Sequence, residues 1–385
     1  MNVAIYYPWV YLRSGCERTI AEVTTRSRHQ WTVFTNRFEP ESTFPVLREK
    51  RIVELPRVSV QRSFSQVGVS AWKIGRQRLP LDGQDALVIF CEGLGDFINF
   101  RDYKIPVICL CFTPLRAAFD PHYQREYLAM NGNGLGRRIA LGAMSRAFRF
   151  VDRLTWKKYS RIFAISEEVR RRILRGKLCT EDQVEVIYPG VDLSHLKASS
   201  VYEKYFLISG RIMWTKNIEL GMDAFRLLLE RRPDLSDFSL TIAGFVDQKS
   251  KPYITKLRDR AADCPQIRFI EAPSDQQLFA LYQNAYSIVY TPFNEDWGLV
   301  PLEAMASEKP VIAVNRGGPL ETVLDGQTGL LVEPAAEAFA AAMERLADDP
   351  ALVRSMGVQG RQHAGKFNWE SFCDRMDQYL DQIAY

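Results

Sequence analysis

The segment YTPFNEDWGLVPLEAMASEKPVIAVNRGGPLETV, residues 290–323, sets two carboxylates, Glu295 and Glu303, eight positions apart around Gly298 and Pro301. The run "SIVYTP" reads as a buried strand that passes into the loop "FNEDWG". Pro301 is well placed as the first residue of a helix reading "PLEAMAS", because a first-turn position needs no backbone N–H. Glu303 then falls in the first helical turn, where a carboxylate complements the helix dipole. Glu295 stands in a loop beyond the carboxyl end of a strand, the side on which doubly wound sheets bind ligands. A second apolar run, "PVIAV", and a Gly-Gly-Pro turn close the segment.

The same alternation extends in both directions. Continuous apolar runs at 3–7, 31–35, 86–91, 106–112, 161–166 and 184–189 form one series, and runs at 204–210, 238–244, 267–272, 286–292, 310–314 and 329–332 form a second. They are apolar throughout and do not alternate, as strands of a parallel sheet covered on both faces must be. Helical patterns such as "NIELGMDAFRLLLERR" lie between them. Two runs of alternating strand and helix imply an α/β chain of two doubly wound parallel-sheet domains joined near residues 190–203, with the active site in the cleft between them. A length of 385 residues also suits two cores better than one. The expected division is 1–198 and 199–365. A last helix over 366–385 carries Trp369, Phe372, Met376, Tyr379, Leu380 and Ile383 on roughly one face and packs back toward the first domain.

Charge is distributed unevenly. Residues 1–200 hold 31 Lys and Arg against 20 Asp and Glu, whereas residues 201–385 hold 19 against 26. A basic half suits an anionic partner such as a phosphate or a membrane surface, and equally a solvated face. Residues 135–177 concentrate this charge, with 13 Lys and Arg and three acidic residues. Ile139, Met144, Ala147, Val151 and Leu154 interleave there with Arg138, Arg146, Arg149 and Arg153. That pattern fits either a basic amphipathic helix at an anionic membrane or a helix packing its apolar stripe on its own sheet.

The seven cysteines include no CxxC and the four histidines no HExxH, so spacing implies neither zinc nor another metal. The cysteines read as buried thiols of a reducing compartment. The N-terminus lacks the pattern of a signal peptide, and no apolar run reaches spanning length, so a cytoplasmic protein, soluble or peripheral to a membrane, is expected. A nicotinamide dehydrogenase would need a GxGxxG that "YLRSGCERT" does not supply. The basic run shows little base-stacking pattern, which argues against a nucleic-acid module.

Arg211 and Lys216 follow "YFLISG" and stand before a helix beginning near Asn217. A guanidinium fork and an ammonium at a helix entry can hold a diphosphate, or can be two solvated cations. Gly15, at the start of the first helix, leaves room for an anion to approach backbone N–H groups, or is a plain turn glycine.

Glu295 and Glu303 in an E-x7-E pattern, Gly210 with Arg211 and Lys216 in G-R-x4-K, and "GGPLETVLDGQTGLLVEP" together resemble the family 4 retaining glycosyltransferases of GT-B fold. "SGCER", "AISEEVRRRI" and "VEVIYPGVD" extend the resemblance into the first domain. Within the family, residues 290–322 are most similar to mannosyltransferases that extend lipid-linked oligosaccharides. "FTPLRAAFD" resembles the "HTPxR" segment of bacterial polysaccharide mannosyltransferases, with Phe112 in place of the histidine before Thr113, Pro114 and Arg116.

The resemblance implies two Rossmann-like domains facing across a cleft. It implies transfer of a hexose, with retention, from a nucleotide sugar, GDP-mannose foremost, to a saccharide or lipid-linked acceptor. No metal or other cofactor is implied. Arg211 and Lys216 would bind the diphosphate and Glu303 the ribose. Glu295 would lie near the reacting carbon, and the backbone of Asp296, Trp297, Gly298 and Leu299 would touch sugar and phosphate. Ala272 and Pro273 would meet the base, Gly15 would close on the diphosphate, and Phe112, Thr113 and Arg116 would lie on the acceptor side. A UDP-sugar donor would use the same two carboxylates, and a catalytically silent sugar-nucleotide-binding scaffold would bind donor without turnover.

Overall fold

A strand buried on both faces by helices gains from apolar side chains at every position, so each strong apolar run becomes a central strand. The computed structural model describes residues 1–60 and 64–384. Its first sheet comprises β1 (Asn2–Tyr6), β2 (Gln30–Thr35), β3 (Ile52–Glu54), β4 (Ala86–Glu92), β5 (Val107–Thr113), β6 (Arg161–Ala164) and β7 (Val184–Val186). These strands are parallel and ordered β3-β2-β1-β4-β5-β6-β7. The second sheet contains β8 (Tyr205–Ser209), β9 (Ser239–Gly244), β10 (Ile267–Glu271), β11 (Ser287–Tyr290), β12 (Val311–Val314) and β13 (Gly329–Val332). Its order is β10-β9-β8-β11-β12-β13, again parallel. In each sheet the order reverses beside the first strand of its series, so ligand-binding crevices open beyond the carboxyl ends of β1 and β4 and of β8 and β11.

The chain divides into two compact units, Met1–Pro189 with Trp369–Tyr385, and Gly190–Asn368. The break after Pro189 falls at the edge of the 190–203 joint that the strand pattern suggests, nine residues before the end of the 1–198 division. The segment after Gly190 is held to the second unit. The Val191 N–H donates to the Phe367 carbonyl at 3.0 Å, and the Arg361 guanidinium donates to the Leu196 carbonyl at 2.8 Å. Lys309, fully buried, reaches the Ser199 carbonyl at 2.8 Å and the Val201 carbonyl at 2.5 Å, with the Tyr202 ring 3.7 Å away.

The C-terminal helix Trp369–Ile383 belongs to the first unit. It buries Trp369, Phe372, Met376 and Leu380. Tyr379 packs edge-on against Phe163 of β6, and Asp377 accepts from the Ser27 hydroxyl at 2.6 Å.

Candidate active site

In the second unit β8 ends at Ser209, and Gly210 turns the chain with a φ of +117°, open to glycine alone at little strain. Crowding requires the neighbouring Gly244 to be glycine as well, since a side chain there would overlap the Gly210 carbonyl oxygen. This close crossing carries Arg211 out of the sheet. Its guanidinium has no hydrogen bond or ion pair among the described residues and is half-buried, which leaves all of its donors to an anion.

Lys216 ends a single helical turn, and Asn217, at a φ of +49°, starts the helix Ile218–Arg231. Asparagine tolerates that left-handed position better than most residues. Two bonds fasten this turn to the loop after β11. The Thr291 hydroxyl donates to the Lys216 carbonyl at 2.9 Å, and the Phe293 N–H donates to the Thr215 carbonyl at 3.2 Å. The Lys216 ammonium pairs with Glu295 Oε2, which also accepts from the Tyr290 hydroxyl at 2.9 Å. Burial, and then the Glu295 charge, push the Tyr290 phenol well above its usual range, so it stays a donor.

The helix after this loop begins at Leu299, two residues before the proline that sequence reading placed first. Pro301 is its third residue, still within the first turn where N–H groups lack intrahelical partners. Glu303 consequently leaves the first turn, and its Oε2 accepts from Tyr282 at 2.7 Å. Tyr282, fully buried on the helix Asp275–Asn284, is bonded in turn to the Ser209 hydroxyl at the end of β8. The helix start itself has no side-chain cap, and Gly298 precedes it at a φ of +91°. Its open N–H groups form a second seat for negative charge.

The Gly-Gly-Pro turn clamps the loop. A Cβ on Gly317 would lie 2.3 Å from the Glu295 carbonyl oxygen, and one on Gly318 would lie 1.9 Å from that of Trp297. The Gly318 N–H donates to the Glu295 carbonyl at 2.9 Å. Trp297 differs from a ligand-facing residue. Its side chain is buried, with its ring 5.3 Å from Phe367, so only its backbone is on offer. Ala272, exposed and left-handed at a φ of +48°, hangs from the Gly244 carbonyl by its N–H, and Pro273 follows. Phe245, just past β9 and 48% exposed, was not among the residues singled out from sequence. A lone aromatic after a strand gives little signal until Gly244 is seen to bring it beside Gly210.

In the first unit Gly15 opens the helix Gly15–Arg26. A Cβ there would meet nothing within 4 Å, so the fold itself does not demand glycine. Glu17, buried, accepts from the Leu12 N–H at 3.1 Å and from the Ser14 hydroxyl. Burial raises its carboxyl to about 7 despite the Ser14 bond. Glu92, the last residue of β4, accepts from the Tyr7 hydroxyl at 2.7 Å and the Cys16 thiol at 3.4 Å. Sequence reading missed both glutamates; Glu92 takes its partners from 76 and 85 residues away, whereas Glu17 is held by its own loop.

Of the "FTPLR" residues, Phe112 is buried against Phe90, with ring centroids 5.6 Å apart. Thr113 accepts from Arg172 at 2.7 Å, and Arg116 is paired with Asp120 at 2.9 Å. These three brace the loop after β5.

The helix Leu135–Trp156 buries Leu141, Ser145, Asp152, Thr155 and Trp156. The apolar stripe read from sequence does not cover the sheet: Ile139, Ala147 and Leu154 are exposed, as are Leu135 and Phe150. No helix among the described residues is long and apolar enough to cross a membrane.

Residues 197–363 match the family model of Glycosyl transferases group 1, and residues 15–195 match that of Glycosyltransferase Family 4. Several relatives are described as alpha-1,3/1,6-mannosyltransferase ALG2. The Rhizomucor pusillus protein is 30% identical over 432 positions, covering all of this chain and 92% of the relative. The Mus musculus protein is 34% identical over 325 residues, 79% of this chain and 75% of the relative. The Dictyostelium discoideum protein is 31% identical over 194 residues, and there the chain spans about half the relative, 46% of its length. In fold the chain is similar to Anabaena Alr3699/HepE, solved in complex with UDP and glucose, with a TM-score of 0.77 at 15% identity over 99% of this chain and all of the other.

Proposed function

The chain belongs to the family 4 glycosyltransferases of GT-B fold, and from that premise we propose that it is a retaining mannosyltransferase that moves mannose from GDP-mannose to a saccharide or lipid-linked saccharide. One observation carries the donor side. The partner-free Arg211 guanidinium, the Lys216 ammonium and the uncapped helix start at Leu299 all belong to loops at the carboxyl ends of β8 and β11. A diphosphate is the ligand whose charge that set answers. The choice of mannose is supported by the relatives' descriptions and by the 290–322 segment.

In the reaction an acceptor hydroxyl attacks the anomeric carbon on the face that the diphosphate leaves. The new C–O bond forms as the old one breaks, and the hydroxyl proton passes to the departing phosphate oxygen. Arg211 and Lys216 stabilise the charge that grows on that oxygen, so they accelerate the step beyond what they add to binding. Glu303, anchored by Tyr282, receives the ribose hydroxyls. Glu295, held between Lys216 and Tyr290, lies toward the sugar. No metal ion is assigned a part in this scheme, the cations and helix start taking the diphosphate charge.

The exposed apolar positions and the basic character of Leu135–Trp156 support a peripheral location at an anionic, cytoplasmic membrane face, where a lipid-linked acceptor would be met. Thermal shift with GDP, GDP-mannose, UDP and UDP-glucose tests the donor, because a ligand stabilises the native state according to its affinity. GDP-mannose should raise the melting temperature most. A larger rise with UDP-glucose would overturn the choice of donor, and binding without any turnover would overturn the enzyme.

A further inference from the structure

Three thiols meet beneath the loops at the carboxyl end of the first sheet. Cys91 is the penultimate residue of β4, and Cys109 and Cys111 stand two apart on β5. Residues two apart on a strand share a face, and parallel pairing sets Cys91 beside Cys111. All three sulfurs lie within 4.8 Å of one another, and all three residues are fully or almost fully buried. Among the described residues this is the one group of three metal-ligating side chains drawn so close.

Free cysteine is often buried as a small apolar residue, so burial alone does not mark the trio; the meeting of three sulfurs at one place does. The three thiols hydrogen-bond weakly to one another, and Cys91 reaches the Thr113 carbonyl at 4.0 Å. The surroundings are polar as well. The buried Tyr159 hydroxyl, with no oxygen or nitrogen partner, lies beside Cys109 and within electrostatic range of all three cysteines and of Asp96.

We propose that Cys91, Cys109 and Cys111 form a site for a thiophilic divalent d10 cation of the Zn2+ class, bound by three thiolates from two adjacent strands. Three sulfurs about 2.3 Å from one ion at the corners of a tetrahedron stand about 3.8 Å apart, so the observed spacing needs only small side-chain rotations to close, the fourth corner being left to water. Each thiol gives up its proton to solvent on ligation. A divalent ion then leaves one negative charge in the core where a monovalent ion would leave two, and uncompensated buried charge is costly. The Tyr159 hydroxyl gains a thiolate to donate to, the supporting contact that metal ligands usually have. The ion would bolt β4 to β5 directly below Glu92 and Thr113.

The experiment uses the full chain, purified under reducing conditions and stripped with a chelator. Zn2+ is titrated against a chromophoric competitor, and Cd2+ serves as probe for the ultraviolet charge-transfer band of thiolate ligation. One ion per chain, a Cd2+–thiolate band and a higher melting temperature are expected. Cys109→Ser should lose all three, whereas Cys264→Ser, in the second unit, should keep them. Should Cys109→Ser fail to fold, Cys111→Ser and the Cd2+ band of the unaltered chain still decide the matter. Equal binding by the unaltered chain and both cluster variants would overturn the site, as would absence of the band. Binding of Cu+ with no binding of Zn2+ or Cd2+ would overturn the divalent class. Oxidation by diamide to a disulfide within the trio, with no metal bound beforehand, would assign the cluster to redox chemistry instead.

Discussion

Lys216 is held in an ion pair with Glu295, and that contact decides what its removal should do. In the free protein the ammonium is already paired with a carboxylate. Its charge counts most as the diphosphate departs, so Lys216→Ala should lower turnover by roughly 10²–10³, the cost of losing one such contact, with a much smaller change in donor binding. Steady-state kinetics with GDP-mannose check this, and weakened binding at unchanged turnover would contradict the role. Glu17 offers a different kind of test. Its carboxyl titrates near 7 in the fold and near 4.5 in the unfolded chain, because burial penalises its charged form. The native state thus holds the proton more tightly, and stability falls as pH climbs from 4.5 toward 7, by about 3 kcal/mol across that window. Glu17→Gln removes the slope while keeping an acceptor for the Leu12 N–H. Denaturant melts should show the variant gaining on the unaltered protein as pH rises through that range, and parallel curves would refute the assignment.

At the scale of elements, the loop at 294–297 owes its position to a neighbour rather than to its own sequence. Gly317 and Gly318 press their backbones onto it closely enough that no side chain fits. Gly318→Ala would place a methyl on the Trp297 carbonyl and should displace the loop that carries Glu295. A stability loss of about 1–3 kcal/mol is expected, together with weaker donor binding. Full donor affinity in a stably folded Gly318→Ala would show that the clamp is dispensable.

The same scale shows what sequence reveals. The central strands are legible because burial on both faces makes each an unbroken apolar run. Ile52–Glu54 escaped notice, being three residues long and half-exposed at the sheet edge. The helix start at Leu299 was misplaced because Pro301 fits any first-turn position, and nothing local chooses among them. Lys216 and Glu295 could be singled out by their places after strands, but Tyr282 behind Glu303 could not, since its partner lies 21 residues away across a strand. Cys91 and Cys111, 20 residues apart, become neighbours only through strand register.

For the whole molecule, the division of charge between a basic first half and an acidic second half bears on where the enzyme works. The helix Leu135–Trp156 leaves Leu135, Ile139, Phe150 and Leu154 exposed. At 100° per residue these four fall within an arc of about 100°. Arg146 lies within the same arc and has no hydrogen bond or ion pair among the described residues. An apolar stripe with a free cation in it is what an anionic bilayer surface would hold, the side chains entering the headgroup boundary and the arginine meeting phosphate. Vesicles containing an anionic lipid should therefore co-sediment with the full chain, and neutral vesicles should carry much less. The double variant Ile139→Glu, Phe150→Glu replaces exposed residues, so the fold should persist, with a far-ultraviolet spectrum and melting temperature near those of the unaltered chain. Its co-sedimentation should drop to the neutral-vesicle level. Transfer to a water-soluble acceptor should be retained, because neither residue belongs to the donor loops. Equal partitioning of the unaltered chain into anionic and neutral vesicles would discard the electrostatic part of the argument, and undiminished partitioning of the double variant would discard the stripe.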